Sequence, residues 1–269
     1  MSDASPGSDV PEILEVEAAR RLLEDRALER EIDKVHAPDQ WFLKRGTTPA
    51  ALRHALVGNA FTAARRRGKQ IVLDTRDPDV RLGVHLGMSG RVLVDDEEAG
   101  DPLIYASNLR MPKWHRFGVH FADGGNFMLR DPRRLGAVEL DPYESRLGPD
   151  ALTLSFKELD SALGRRTAPV KAVLMDQARV AGLGNLLVDE VLWRAGIDPA
   201  RSANALDPDE RHRLHKEIRS TVRTLGRRGG SHTGDMPREV SVPCPRDGAP
   251  LRRRKVAGRT TFTCPAHQH

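Results

Sequence analysis

Cysteine is the scarcest informative residue in this chain: two in 269 positions exclude a disulfide framework and fit a reducing compartment. Aromatic side chains are only 4% of the total, so the core has to be built of Leu, Val and Ala. No apolar run approaches the length of a membrane span, and the polar opening MSDASPGSDV lacks the apolar stretch of a secretory signal. Internal repeats and long low-complexity linkers are also missing. These absences predict a soluble, cytoplasmic protein with no membrane partner; the expectation for its assembly is a monomer.

What is present is length enough for two modest domains with real cores, and a lopsided charge. The net charge of +5 conceals a segment, Arg211 to His269, in which fourteen Lys/Arg face four Asp/Glu; that segment carries +10 and leaves −5 for the remainder. A one-sided positive field suits phosphate backbones or acidic membranes, and no basic helix with a strong apolar face argues for the membrane.

Periodicity places a helix over Glu12 to Arg26, with Ile13, Val16, Leu22 and Leu23 as its apolar stripe. Short runs of strand character follow: Ile32 to His36, Phe61 to Arg65, Gln70 to Asp74, Leu82 to Leu86, Gly90 to Val94, Arg116 to Phe121 and Asn126 to Leu129. They predict an antiparallel sandwich or barrel interrupted by a short helix, Pro49 to Leu56. Beyond Pro149 the period becomes helical, over Phe156 to Leu163, Val170 to Asp176, Asn185 to Ala195 and Pro208 to Arg227. From Pro243 the pattern is two short strands around a polar turn, flanked by the cysteines.

The segment PEILEVEAARRLL, from Pro11, admits two readings. Proline suits the first helical turn, and Glu12, Glu15 and Glu17 complement the helix dipole. An N-terminal proline is also a secondary amine, able to attack C1′ of a damaged nucleoside, expel the base and leave a Schiff base. Inside a chain the same nitrogen is an inert amide. Met1 to Val10 precede it here, and the expectation is that the native chain starts at Pro11, with Val10 occupying an alternative initiation codon.

Seven further pieces stand in order after this opening: RRRGK ending in Lys69, HLGMSG from His85, DPRRLGA from Asp131, LGPDAL from Leu147, LMDQARVAGLGNLLVDEVLWRAGIDP from Leu174, RGG from Arg228, and a hairpin ending in RTTFTC. With PEILEVE they resemble the formamidopyrimidine-DNA glycosylase and endonuclease VIII family of base-excision repair enzymes over nearly the whole chain after Val10. The resemblance implies an α+β multidomain fold: an N-terminal β-sandwich with flanking helices over 11–140, a helix-two-turn-helix domain over 150–230, and a zinc-finger-like β-hairpin over 240–269. It implies a DNA glycosylase with abasic-site lyase activity, acting in the bacterial nucleoid on double-stranded DNA that contains damaged bases or abasic sites.

The roles follow from the same resemblance. Pro11 is the nucleophile, Glu12 the acid/base carboxylate and Lys69 a catalytic lysine beside a phosphate. Glu15 holds structure or positions water. Met88 fills the space left by an extruded base, Arg133 faces the orphaned partner base, and Leu135 takes a wedge position that is usually aromatic in the oxidised-purine branch. Gly184 and Asn185, at a helix N-terminus, form a phosphate clamp, Glu190 lies near the damaged base, and Arg259 grips DNA.

Two departures from the family pattern stand out. The hairpin's four cysteine positions hold Cys244, Asp247, Cys264 and His267, so either a mixed zinc site forms, with His269 a spare ligand, or the hairpin is zincless. Only thirteen residues separate Gly230 from Cys244, where enzymes of the oxidised-guanine branch carry a longer lesion-capping loop. If residues 1–10 block Pro11, the chain is instead a catalytically silent protein that binds damaged DNA. A weaker alternative is a nucleic-acid-binding scaffold with no lesion specificity.

Overall fold

The structure is a computed structural model that describes residues 11–100 and 107–269; the expectation about Met1 to Val10 lies outside the described residues. Two compact units form, one of Glu15–Glu144 and one of Ser145–His269 together with the residues up to Leu14.

The Glu15–Glu144 unit is a sandwich of two antiparallel sheets. Among the described residues its nine strands are β1 (Ile32–His36), β2 (Phe61–Arg67), β3 (Gln70–Thr75), β4 (Arg81–His85), β5 (Arg91–Val94), β6 (Glu97–Glu98), β7 (His115–Phe121), β8 (Asn126–Arg130) and β9 (Ala137–Leu140). One sheet has the order β1-β7-β8-β5-β6 and the other β2-β3-β4-β9. Leu, Val, Ile and Phe side chains from both sheets meet in one core, including Phe61, Ile71, Val84, Phe117, Phe127 and Val138. Val16, Ala19 and Leu23 of helix α1 (Ile13–Arg26) and Leu52 and Leu56 of α2 (Pro49–Leu56) close onto it. Glu17 fastens α1 to β2, accepting from Arg66 at 3.0 Å while also pairing with Arg20. Seven of the nine strands were anticipated. The two that were not, β6 and β9, are a two-residue edge and a four-residue strand read as loop.

The other unit is helical. It contains α3 (Phe156–Leu163), α4 (Val170–Met175), α5 (Asn185–Ala195) and α6 (Pro208–Arg228), followed by the hairpin β10 (Arg252–Val256) and β11 (Arg259–Thr263). Local chemistry fixes the helix ends: capping boxes Ser155/Glu158 and Asp207/Glu210 start α3 and α6, and Gly196, at φ 68°, ends α5. Ile13 and Leu14 pack here, in a core with Leu174, Leu187, Val191, Ile218 and Leu225. A smaller cluster of Trp193, Met236, Leu251 and Phe262 seats the hairpin. The α+β multidomain architecture expected from sequence is the one that forms. Among the described residues no helix is long and apolar enough to cross a membrane.

One buried polar node crosses this unit. Lys171 on α4, fully buried, donates to Asp189 Oδ1 on α5 at 2.6 Å and to Thr261 Oγ1 on β11 at 2.8 Å. Arg238 reaches the other Asp189 oxygen at 3.0 Å. Burial pulls the Lys171 ammonium below its ordinary pKa, and the Asp189 carboxylate opposes that shift. Removing one partner strands a buried charge. Asp189→Ala is therefore expected to cost about 3–5 kcal/mol in urea denaturation. Converting Lys171 and Asp189 together to Met and Leu is expected to recover much of that loss.

Candidate active site and nucleic-acid interface

Pro11 and Glu12 are both buried. The Glu12 carboxylate sits on the N-terminus of α5: Oε2 accepts the N–H of Gly184 at 2.7 Å and of Leu187 at 3.2 Å, and Oε1 accepts Leu186 at 2.7 Å. A carboxylate there satisfies helical N–H groups that have no partner inside the helix and faces the positive end of the dipole. The next residue reinforces the seat, Ile13 N donating to Gly182 O at 3.0 Å. Both glycines are required by contact. A Cβ on Gly184 would lie 2.3 Å from Glu12 Cδ, and one on Gly182, itself at φ 108°, would lie 2.4 Å from Ile13 Cδ1.

This arrangement corrects one sequence expectation. The N–H groups of Gly184, Leu186 and Leu187 are taken by Glu12, so they are not a phosphate clamp. The Asn185 side chain at this turn is buried, and its Oδ1 has no hydrogen-bond partner among the described residues. Glu190 is likewise committed: Oε1 accepts Arg194 Nε at 2.6 Å and Asp235 N at 3.1 Å, and Oε2 accepts Met236 N at 2.9 Å. It holds the short segment after α6 against α5. Arg259 begins β11 directly after the hairpin turn, where Ala257 and Gly258 both have positive φ, and it is exposed.

In the sandwich unit three motif loops share one sheet end. Lys69 occupies the two-residue turn between β2 and β3, since Arg67 pairs with Gln70. Gln70 pairs in turn with His85, and His85 with Ala137, so the loops bearing Met88 and Arg133–Leu135 emerge beside it. Those two loops are tied together by Asp131, which is fully buried. Its Oδ1 accepts the Ser89 hydroxyl and Arg133 N, and its Oδ2 accepts Leu135 N at 2.8 Å and Gly136 N at 2.7 Å. Gly87 allows the close approach, because a Cβ there would lie 2.3 Å from the Leu135 carbonyl carbon. Next along, Arg134 forms a two-pronged pair with Asp39 at 2.7 Å, which holds that carboxyl below the usual range. Arg133 and Leu135 are left exposed at the tip, and Met88 half-buried.

The fourth feature is a donor cluster on the hairpin. Cys244 Sγ, Asp247, Cys264 Sγ and His267 offer atoms that all lie within 4.8 Å of one another. Asp247 contacts both Cys264, at 3.2 Å, and His267 Nδ1. Outside the four, Trp193 Nε1 donates to Cys244 Sγ at 3.3 Å, and His267 Nε2 lies 3.2 Å from the Trp193 carbonyl. That orients the ring with Nδ1 turned inward, as a metal-ligating histidine requires. The set could hold a metal ion.

Comparison with known proteins agrees with this geometry. The family model of the formamidopyrimidine-DNA glycosylase N-terminal domain matches residues 10–138, and that of the H2TH domain matches residues 147–235. The formamidopyrimidine-DNA glycosylase of Paracoccus denitrificans is 34% identical over 96% of this chain and 100% of its own length. This chain belongs to the formamidopyrimidine-DNA glycosylase family. A second relative of that name, from Symbiobacterium thermophilum, is 35% identical over 96% of this chain and 89% of its own. Among solved structures, Lactococcus lactis Fpg in complex with abasic-site DNA has a TM-score of 0.82 at 30% identity, covering 96% of this chain and 99% of that one. The same enzyme with Fapy-dG-containing DNA gives 0.82 at 29% identity, covering 96% and 100%.

Sequence reasoning assigned no job to Asp131, Asp189 or Trp193. Asp131 had a signal, since Asp-Pro starts a turn whose carboxylate takes the following N–H groups; the other two act across sequence distances that no local pattern reveals. Gly184→Ala is expected to push Glu12 off the α5 terminus and destabilise the protein by about 2–4 kcal/mol, through overpacking and a lost cap. Chemical denaturation checks it.

Proposed function

We propose that this protein is a base-excision-repair DNA glycosylase with abasic-site lyase activity, using the nitrogen of Pro11 as nucleophile. The observation that carries the reading is the Glu12 carboxylate, buried on the α5 N-terminus next to Pro11 in a chain that resembles, over 96% of its length, an enzyme solved on abasic-site DNA. The free secondary amine adds to C1′ as the C1′–base bond breaks and the base departs with a proton; the C1′–O4′ bond then opens, O4′ taking a proton, to leave an iminium at C1′. That iminium makes the C2′ proton acidic, and its loss expels the 3′ phosphate by β-elimination; δ-elimination then removes the sugar. In this reading the Glu12 carboxylate, held next to Pro11 by three backbone N–H groups, carries protons among ring oxygen, base and iminium.

The remaining residues hold DNA in this reading. Lys69 meets a phosphate next to the target sugar, Met88 and Leu135 fill the vacated stack, and Arg133 faces the orphaned base. The Asn185 amide and Arg259 grip backbone phosphates. Glu190 fixes the segment after α6. The native start at Pro11 draws support from the family match, which begins at residue 10.

Borohydride trapping on abasic-site duplex tests the nucleophile. A chain starting at Pro11 is expected to be trapped as a covalent adduct, and one retaining residues 1–10 is not, because an amide nitrogen has no lone pair free for addition. Equal trapping of both forms would remove Pro11 from the mechanism and leave a lysine such as Lys69. In the short form Glu12→Gln is expected to keep the amine and abolish most base excision.

The hairpin donor set fits zinc, with Cys244, Asp247, Cys264 and His267 as ligands. Two thiolates, an imidazole and a carboxylate are all zinc donors, and their mutual spacing suits a tetrahedral site. The ion would supply folding energy to the hairpin. Burial and the Asp247 carboxylate push the Cys264 thiol up to about 11, so metal uptake has to displace its proton. Zinc affinity is therefore expected to rise with pH across the neutral range. Elemental analysis should find about one zinc per chain, lost in Cys264→Ser; metal-free protein with a native hairpin would establish the zincless form.

A further inference from the structure

Helix α6 carries seven Lys/Arg but, beyond its first turn, a single acid, Glu217. Three of those cations are paired: Arg211 with Asp160 at 2.6 Å, Arg213 with Glu210 at 3.9 Å, and Arg228 with Asp235 at 2.6 Å. The other four, Lys216, Arg219, Arg223 and Arg227, are exposed and have no hydrogen-bond or ion-pair partner among the described residues. They are not scattered. Leu214, Ile218, Val222 and Leu225 turn into the core, and at 100° per residue the four cations fall on the opposite side. Their spacing of three, four and four residues makes a stripe about 16 Å long, bordering an open groove of about 620 Å³ with Ser220 and Thr224 between the charges.

Four like charges in one stripe repel one another, and the rest of the helix shows how this protein relieves such repulsion, by placing a carboxylate opposite each cation. Here the compensating charge has to come from outside. The outer side of α6 has no large apolar residue to enter a bilayer or to form the apolar centre of a protein interface. Guanidinium, ammonium and hydroxyl groups in a row are phosphate ligands.

We propose that the outer face of α6 docks the phosphate backbone of a second duplex segment, so that the protein can bridge two stretches of DNA and pass between them. The inner side of α6 packs in the same core as α5, whose N-terminus holds Glu12 and Asn185. The stripe lies on the side of α6 opposite its core-facing residues, and that is the ground for assigning it to a separate duplex segment. The identity of the polyanion rests on the DNA reading above; the stripe itself does not.

The test compares the full chain with K216Q/R219Q/R223Q/R227Q and with R21Q/R26Q/R76Q/R81Q, which removes four cations, three exposed and one half-buried, that do have carboxylate partners. Dissociation from labelled abasic-site duplex is followed as unlabelled undamaged duplex is raised. Direct transfer makes the wild-type and paired-site rates climb, by about threefold or more, and leaves the stripe variant's rate flat with its abasic-site affinity unchanged. A flat wild-type rate, or a climbing rate in the stripe variant, overturns the proposal. So does stripe-dependent co-sedimentation with phosphatidylserine–phosphatidylcholine vesicles when competitor DNA has no effect. A protein that failed to bind abasic-site duplex would sink the proposed function alone. The stripe would then be judged on undamaged duplex, where the variant should lower the slope of log affinity against log salt by about 3–4, and an unchanged slope overturns it.

Discussion

The carboxylate of Glu12 on the first turn of α5 is the contact on which the rest of the site depends. It buries a charge at a helix end, where three N–H groups would otherwise be left dry. Through one peptide bond it fixes Pro11, and through Ile13 it begins α1. The Ala181–Gly184 turn has its shape for the same reason: with side chains at 182 or 184 the carboxylate and Ile13 could not approach. If Pro11 supplies the amine as proposed, a group held this way would have little freedom to lose when it meets a sugar, which is the benefit of preorganisation.

Helix α5 then distributes that rigidity. Its successive turns carry Asn185 beside Glu12, Asp189 against Lys171 and Arg238, Glu190 against the segment after α6, and Trp193 against the cysteine hairpin. Ten of its eleven residues are buried, an unusual share for a helix with three charged side chains. The charges are tolerated because nearly every oxygen has a donor. The hairpin that presents Arg259 is thus referenced to the same rod as Pro11, with the Cys244, Asp247, Cys264 and His267 donor cluster at its base.

Much of this was legible in the sequence. Alternation and turn residues located seven strands of the sandwich, and helical periodicity located the six helices of the described residues, each within a residue at both ends. The cysteine, aspartate and histidine spacing located the donor cluster. What stayed hidden were pairings between distant segments: β9 joining β4, Asp189 meeting Lys171, and above all the glycine-flanked turn. Gly-Leu-Gly-Asn before a helix reads as an anion site, and it is one. The anion turned out to be Glu12, more than 170 residues away in sequence, and nothing local distinguishes a carboxylate of the same chain from a phosphate.

The single carboxylate of Asp131 holds the loops of Met88 and Arg133 at once. The two loops are therefore not separate modules to evolution. A change that reshapes one alters the hydrogen bonds available to the other, so substitutions across them should be epistatic, and loop exchange between relatives should succeed only when both loops and the aspartate travel together. Variation between relatives is accordingly channelled into exposed positions such as Leu135, whose side chain can change while its backbone N–H stays on Asp131.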